Sequence, residues 1–144
     1  MDKGTILFID DELCPNSKGP SGNYMWYYVE ALRDASYTVV EVPGPDDALT
    51  NLKAKDQHYD LIILDIMMPP GAAYRTRDTS NGLRTGILVV QTLHEQWPDI
   101  PVLVLTNVLN QEALNSLNRF PNVKSILGKP RYTPFLVCQE VRKM

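Results

Sequence analysis

Three aspartates lie directly after apolar stretches that are each short enough to form one β-strand. Asp10 and Asp11 follow residues 5–9, and Asp65 follows residues 60–64. If these strands are neighbours in a parallel sheet, their carboxyl ends share one edge and the three carboxylates meet there. Like charges a few Å apart repel by about 4 kcal/mol at an effective dielectric of 20. Such a cluster therefore predicts a bound cation or a bound proton.

A ligand set made only of oxygen atoms favours Mg²⁺, which takes one or two carboxylates, several waters and a phosphate oxygen. The simpler alternative is a solvated acidic segment, because the ends of strands are wet and commonly carry acids. Glu12 extends the acidic run after the first strand and fits either interpretation.

A hydroxyl and an ammonium group are expected at the same edge. Thr106 ends the apolar run VLVL, and Lys129 follows the run at residues 123–127. Phosphoryl transfer to a carboxylate needs a nucleophile such as Asp65, together with cations and donors that neutralise charge on the phosphoryl oxygens. Taken singly, Thr106 is more often an ordinary strand-end residue and Lys129 a surface lysine. Their joint placement is the specific signal.

The elements that must position these residues alternate along the chain. Continuously apolar runs such as LIIL and VLVL are typical of parallel strands that are covered on both faces. The pattern predicts strands at residues 5–9, 38–42, 60–64, 102–105 and 123–127, and helices at 24–35, 45–55, 83–97, 110–120 and 134–143. This is an α/β, flavodoxin-like (βα)₅ doubly wound sheet. Its simplest strand order is 2-1-3-4-5.

Bulk properties exclude several classes of function. The chain has 144 residues, which suits one domain spanning 1–144, and a net charge of −3, which supplies no basic field for nucleic acid. No apolar run approaches the roughly 20 residues of a membrane helix, and we expect no membrane partner. Cys14 and Cys138 are the only cysteines and lack metal-ligand partners. A reducing, cytoplasmic location is therefore expected.

The combined motifs resemble the receiver domains of bacterial response regulators over essentially the whole chain. They are Asp10-Asp11 after the first strand, Asp65 followed by Met-Met-Pro-Pro, Thr106 after VLVL, and Lys129-Pro130. The resemblance implies that Asp65 is the phosphoacceptor. It also implies a Mg²⁺ cofactor held by Asp10, Asp11, Asp65 and the Met67 carbonyl.

The same resemblance implies roles for the remaining motif residues and for partner proteins. Thr106 and Lys129 would bind the phosphoryl group, and a cis peptide before Pro130 would aim the lysine. The donor would be a histidine kinase or a histidine phosphotransfer protein, and the signal would pass to a downstream protein by direct contact. We expect a stand-alone receiver with no output domain, which accepts and loses phosphate without acting as an enzyme on other substrates.

The sequence departs from the family pattern near the site. Ile126 occupies the switch position that is usually aromatic, and Asn107 replaces a small residue. The resemblance implies that side chains at positions 67, 107 and 108 border the path of the water that hydrolyses the phosphoaspartate. Met67 and Val108 are apolar and Asn107 is bulky, so we expect a long-lived phosphoaspartate. The loops at 12–22 and 66–81 are longer than usual.

Two other functions remain open at this point. One is a pseudo-receiver that binds partners but never takes up phosphate. The other is a Mg²⁺-dependent aspartyl-phosphate phosphatase of the haloacid-dehalogenase kind. That class needs a second acid two residues after its nucleophile, where Met67 follows Asp65, although Glu12 stands two residues after Asp10.

The second long loop also carries basic residues. Arg75 and Arg77 lie within it, and Arg84 follows it closely. They could contact a phosphate or an acidic partner, but a solvated loop is the simpler interpretation.

Overall fold

A computed structural model describes residues 3–13, 25–107 and 110–144 of the chain. Five parallel strands form one sheet in the order β2-β1-β3-β4-β5, as predicted. The strands are β1 (Thr5–Ile9), β2 (Thr38–Val42), β3 (Leu61–Leu64), β4 (Val102–Thr106) and β5 (Val123–Gly128). The helices are α1 (Met25–Asp34), α2 (Pro45–Lys53), α3 (Thr85–Gln96), α4 (Gln111–Leu117) and α5 (Pro134–Arg142).

Two hydrophobic cores lie on opposite faces of the sheet, which explains why the central strands are continuously apolar. Alternate side chains of each strand point to opposite faces. Ile62 and Leu64 of β3 pack with residues of α2, α3 and α4. Leu61 and Ile63 pack on the other face with residues of α1 and α5. All four β3 side chains are therefore buried. Packing on both faces fixes the position of the strand end, where Asp65 follows.

The predicted elements are all present, and the differences are confined to their ends. Asn110 caps α4 as predicted, because its side chain accepts a hydrogen bond from the Ala113 N–H at 2.8 Å. Thr133 caps α5 in the same way, which the sequence pattern had not indicated. Helix α2 ends at Lys53 because Ala54 is extended. The caps expected at Ser21 or Asn23 for α1 lie outside the described residues.

The helices are short. The longest, α3, has 12 residues, whereas a bilayer requires about 20 apolar ones. Within residues 3–13, 25–107 and 110–144, no helix is long and apolar enough to cross a membrane.

Candidate functional site

Asp10 and Asp65 lie side by side because their strands are paired neighbours. Ile9 of β1 is in register with Leu64 of β3, so the next residue of each strand emerges at the same edge. The backbone continues the pairing there, since the Asp65 N–H donates to the Ile9 carbonyl at 3.1 Å. The predicted meeting of the two aspartates at the carboxyl edge is therefore confirmed.

Three carboxylates converge at this edge. Oxygen atoms of Asp10, Asp11 and Asp65 all lie within 4.8 Å of one another. Asp10 is fully buried, Asp65 is 6% exposed, and Asp11 faces solvent. Two buried acids and one exposed acid form a half-open set of hard oxygen ligands, which fits a Mg²⁺ ion that keeps part of its water shell. The residues present thus suit the metal that the sequence predicts.

Lys129 joins two of these carboxylates. Its Nζ donates to Asp10 Oδ2 at 2.9 Å and to Asp65 Oδ2 at 3.0 Å, and its side chain is almost completely buried. Thr106 of β4 is in register with Gly128 of β5, and the Lys129 N–H donates to the Thr106 carbonyl at 3.0 Å. Strand pairing therefore carries the lysine to the acids from the far side of β4.

Negative charge outweighs positive charge in the cluster of Asp10, Asp11, Asp65 and Lys129. Burial raises the pKa of Asp10 to about 6, with Asp65 adding to the rise and Lys129 opposing it. Burial and Asp65 also raise the pKa of Asp11. For Lys129, burial alone would lower the pKa, but Asp10 and Asp65 overcome it and raise the pKa. One ammonium group thus faces three carboxylates, and an added cation would relieve the remaining repulsion.

The other predicted site residues fall around this cluster. Thr106 is completely buried at the end of β4, and Met67 is 44% exposed. Asn107 is exposed. Ile126 is half-buried and packs against the core beneath α3 and α4. Val108 and Cys14 lie outside the described residues.

The prediction of a cis peptide before Pro130 is wrong for this structure. Among the described residues no peptide bond is cis. Trans is the favoured isomer of an X–Pro bond by about 0.5–1 kcal/mol. Local hydrogen bonds already fix the turn, because the N–H groups of Arg131 and Tyr132 both donate to the Gly128 carbonyl. Lys129 reaches its two partners without the rarer isomer.

The loop at 66–81, whose role the sequence left open, is tied to the body of the domain. Asp46, in the first turn of α2, accepts hydrogen bonds from the N–H groups of Ala72 and Ala73 at 2.8 and 2.9 Å. These two bonds lower the pKa of Asp46. Tyr74 is buried against α3, where its hydroxyl lies 2.6 Å from that of Thr92. The sequence suggested no such role for Asp46, because its partners are 26 and 27 residues away.

The base of the loop packs directly against the end of β3. The Met68 N–H donates to the Gly82 carbonyl at 3.0 Å, and the Gly86 N–H donates to the Ile66 carbonyl at 2.7 Å. A Cβ atom at position 86 would collide with the backbone of Asp65 and Ile66. Glycine is therefore required where α3 approaches the end of β3.

The three arginines of this region separate into two groups. Arg84 donates to Glu112 at 2.6 Å and to Ser116 at 3.2 Å, so it ties the start of α3 to α4 and not to the acid cluster. Arg75 and Arg77 are exposed. They line an open pocket that also includes Asp11.

Comparison with known proteins identifies the fold. No protein-family model and no curated protein matches this sequence. Solved structures match over nearly the whole chain. The chemotaxis protein CheY4 of Vibrio cholerae aligns at a TM-score of 0.68 and 22% identity, covering 96% of each chain.

Two further structures give the same result. A CheY-like receiver domain from Methanospirillum hungatei has a TM-score of 0.72 at 14% identity, covering 96% of this chain and 90% of its own. The BeF₃-activated receiver domain of DrrB has a TM-score of 0.69 at 17% identity, covering 99% and 97%. The chain therefore has the flavodoxin-like fold of response-regulator receiver domains.

Proposed function

We propose that this chain is a phosphoacceptor signalling domain in which Asp65 takes a phosphoryl group in a Mg²⁺-dependent reaction. One observation carries the proposal. Asp10, Asp65 and Lys129 come from three different strand ends and form a single buried, hydrogen-bonded group, with Asp11 beside it. The receiver fold supports the same conclusion, since it is shared with response regulators.

The side chains have distinct tasks in the transfer. An Asp65 carboxylate oxygen forms a bond to phosphorus while the bond from phosphorus to the donor atom breaks, and the donor leaves with the electron pair. The Mg²⁺ ion would be held by Asp10, Asp11, Asp65 and the Met67 carbonyl, and when bound it would neutralise charge on the phosphoryl oxygens. Lys129 lies 3.0 Å from Asp65 and supplies a second positive charge. Thr106, at the end of β4, would donate a hydrogen bond to the phosphoryl group.

The proposed partners rest on the receiver fold, which this chain shares with response regulators. The physiological donor is a histidine kinase or a histidine phosphotransfer protein, and the phosphorylated surface is recognised by a downstream protein. The domain catalyses its own phosphorylation and dephosphorylation but turns over no separate substrate. We place it in the cytoplasm, where such kinases present their phosphohistidine.

Labelling with a small phosphodonor tests the proposal. Purified protein is incubated with acetyl phosphate and Mg²⁺, and the intact mass is followed together with the release of inorganic phosphate. We expect one phosphoryl group per chain in the presence of Mg²⁺, and no labelling when EDTA is present from the start. Asp65→Asn should remain folded and unlabelled, while the exposed Asp56→Asn control should label normally.

The alternatives give different results in the same experiment. A pseudo-receiver takes up no phosphoryl group under any condition. A phosphatase releases phosphate repeatedly without holding a stable adduct. Stoichiometric labelling of Asp65→Asn would show that the nucleophile is another residue.

A further inference from the structure

Helix α3 carries a glycine in its first turn, where the helix meets the end of β3. Gly86 is the second residue of α3 and is buried. Glycine inside a helix is less favourable than alanine, because the unfolded chain loses more conformational freedom. The glycines of the described residues that have a left-handed backbone are Gly4, Gly71 and Gly82, and Gly86 is not among them. Space, and not backbone conformation, must therefore explain a glycine at this position.

The space is occupied by the peptide group that joins Asp65 to Ile66, which we call the 65–66 peptide. A Cβ atom at position 86 would lie 2.5 Å from Ile66 Cα and 3.1 Å from the Asp65 carbonyl carbon, and it would overlap the Asp65 carbonyl oxygen. These are backbone atoms, which cannot turn aside as the end of a flexible side chain can. The Gly86 N–H also donates to the Ile66 carbonyl at 2.7 Å. Helix α3 thus packs in direct contact with the 65–66 peptide.

The 65–66 peptide also holds the carboxylate of Asp65. Its N–H, which belongs to Ile66, donates to Asp65 Oδ1 at 2.7 Å. Lys129 Nζ donates to the other oxygen, Oδ2, at 3.0 Å. One oxygen is therefore directed at the backbone and the other at the lysine, which fixes the rotation of the carboxylate. A displacement of the 65–66 peptide would turn the carboxylate relative to Lys129.

The start of α3 is itself fixed in place. Arg84, which precedes the helix, donates to Glu112 of α4 at 2.6 Å. The neighbours of the glycine, Thr85 and Ile87, are both buried. Because the first turn is held in this way, a side chain added at position 86 would displace the 65–66 peptide.

We propose that Gly86 is a positioning residue for the phosphoacceptor, because it admits α3 to contact with the 65–66 peptide and so sets the orientation in which Asp65 attacks phosphorus. This inference rests on the proposed function, since it concerns the transfer to Asp65. Gly86 has no side chain that could touch the phosphoryl group, and it acts through the Ile66 N–H. In-line transfer depends on where the attacking oxygen lies, and a misplacement of about 1 Å can slow a reaction by about 100-fold.

The test adds one methyl group at position 86. Wild-type protein and Gly86→Ala are labelled with acetyl phosphate at saturating Mg²⁺, and the initial rate is measured against donor concentration. Ile87→Ala is the control for lost stability, because it removes buried atoms from the same turn and leaves the contact of Gly86 with the 65–66 peptide intact. Gly44→Ala is the control for the methyl group, since a Cβ atom there would meet nothing within 4 Å.

We expect the maximal rate of Gly86→Ala to fall at least about tenfold, while its half-maximal donor concentration stays within about twofold of wild type. Ile87→Ala should unfold at a lower urea concentration, because it leaves a cavity, and still label within about twofold of the wild-type rate. Gly44→Ala should label as wild type does.

Amide NMR spectra of the metal-free protein give a readout that does not depend on labelling. The Ile66 amide proton should move upfield in Gly86→Ala, because its hydrogen bond to Asp65 lengthens. The Glu12 amide is the internal reference, since it donates to Asp10 Oδ1 at 2.9 Å on the β1 side of the site. Its signal should stay in place.

A second variant tests the same hydrogen bond without added bulk. Incorporation of the α-hydroxy acid corresponding to Ile66 into the full chain replaces the Ile66 N–H by an ester oxygen. This removes the donor to Asp65 Oδ1 and leaves every side chain unchanged. We expect its maximal rate to fall at least about tenfold as well, and this variant decides the question if Gly86→Ala does not fold.

Four results would overturn the inference while leaving the proposed function intact. They are a maximal rate of Gly86→Ala within about twofold of wild type, equal slowing by Ile87→Ala, an unmoved Ile66 amide signal in Gly86→Ala, and labelling of the ester variant at the wild-type rate. Absence of labelling in wild type would instead overturn the proposed function, and the inference with it.

Discussion

Replacing Lys129 with Met removes the ammonium group that lies 2.9 Å from Asp10 and 3.0 Å from Asp65. Methionine has a similar length and no charge, so it fills the same space without pairing the acids. Both carboxylates stay buried at the end of the sheet, and Asp11 still repels them. The change isolates the electrostatic contribution of the lysine to the metal-free fold.

The expected loss of stability follows from the geometry. At an effective dielectric of 20, each contact of about 3 Å has a Coulomb energy of about 5–6 kcal/mol. Much of this is offset by the cost of burying the ammonium, which the methionine does not incur. Breaking a buried pair by removing one partner typically costs about 3–5 kcal/mol. We therefore expect the free energy of unfolding to fall by about 4 kcal/mol at pH 8, with a Tm lower by roughly 10 °C.

The loss should depend on pH in a definite direction. Lys129 opposes the rise in the pKa of Asp10, so its removal lifts that pKa further above about 6. The unfolded carboxyl titrates near 3.8. Between these values the folded variant binds more protons than the unfolded chain, and its stability increases as the pH falls. In wild type, the raised pKa of Lys129 contributes stability throughout pH 5–8, because that window lies below its ordinary value of 10.5. The gap between variant and wild type should therefore shrink toward pH 5.

Urea denaturation in EDTA at pH 5 and pH 8 measures these differences, and repeating it with Mg²⁺ adds a second check. Mg²⁺ should stabilise the variant more than wild type, because it replaces the missing positive charge. Lys124→Met, an exposed change on the same strand, should alter stability by no more than about 0.5 kcal/mol. A loss below about 1 kcal/mol for Lys129→Met, or a loss that is equal at both pH values, would refute the reasoning.

Three substitutions and one added ligand test other parts of the domain. Asp11→Ala should weaken Mg²⁺ binding at least about tenfold by titration, yet raise the free energy of unfolding in EDTA near pH 7, because the raised pKa of Asp11 marks a destabilising charge; unchanged affinity would place the metal elsewhere. Met67→Asn should shorten the life of the phosphorylated protein about tenfold, or 1.4 kcal/mol of barrier, by orienting the hydrolytic water; a wild-type half-life of seconds would argue against this. Asp46→Asn should speed amide exchange at the anchored end of loop 66–81, and the same loosening should occur in wild type as the pH falls below the lowered pKa of Asp46; equal exchange in both proteins would mean that the carboxylate anchors nothing. With Ile126 at the switch position, beryllofluoride should change exchange in that loop more than on the face of α4, β5 and α5, and the reverse pattern would show that the usual switch operates.

The predictable part of this protein depends on local patterns. A run such as LIIL in β3 has no polar side, so it indicates a strand covered on both faces, and all four residues are buried. Asn110 is followed by an amphipathic run, and its cap depends only on an N–H group three residues later. The sheet order was also predictable, because right-handed crossovers between short elements leave few arrangements. Once the order is known, residues that follow the strands must share one edge.

Contacts between distant residues were decided only by the tertiary structure. Lys129 pairs with Asp10 across 119 residues, and its reach depends on the register of β5 against β4. The sequence could place the lysine at the edge but not on a particular oxygen. The sequence made Arg84 a candidate for contact with a phosphate or an acidic partner. In the structure it donates a hydrogen bond to Glu112 of α4 at 2.6 Å, because α3 packs against α4.

The amino-acid sequence by itself determined which residues end each strand, and therefore which chemical groups can meet at the sheet edge. Hydrophobic periodicity and turn residues act over a few positions, so they can be read without the fold. The tertiary structure decided how loop 66–81 lies, because its anchor on Asp46 comes from another helix. It also decided the geometry of the bond before Pro130, which is trans. Each of these outcomes depends on distances between elements, which are set by packing and not by neighbours in the chain.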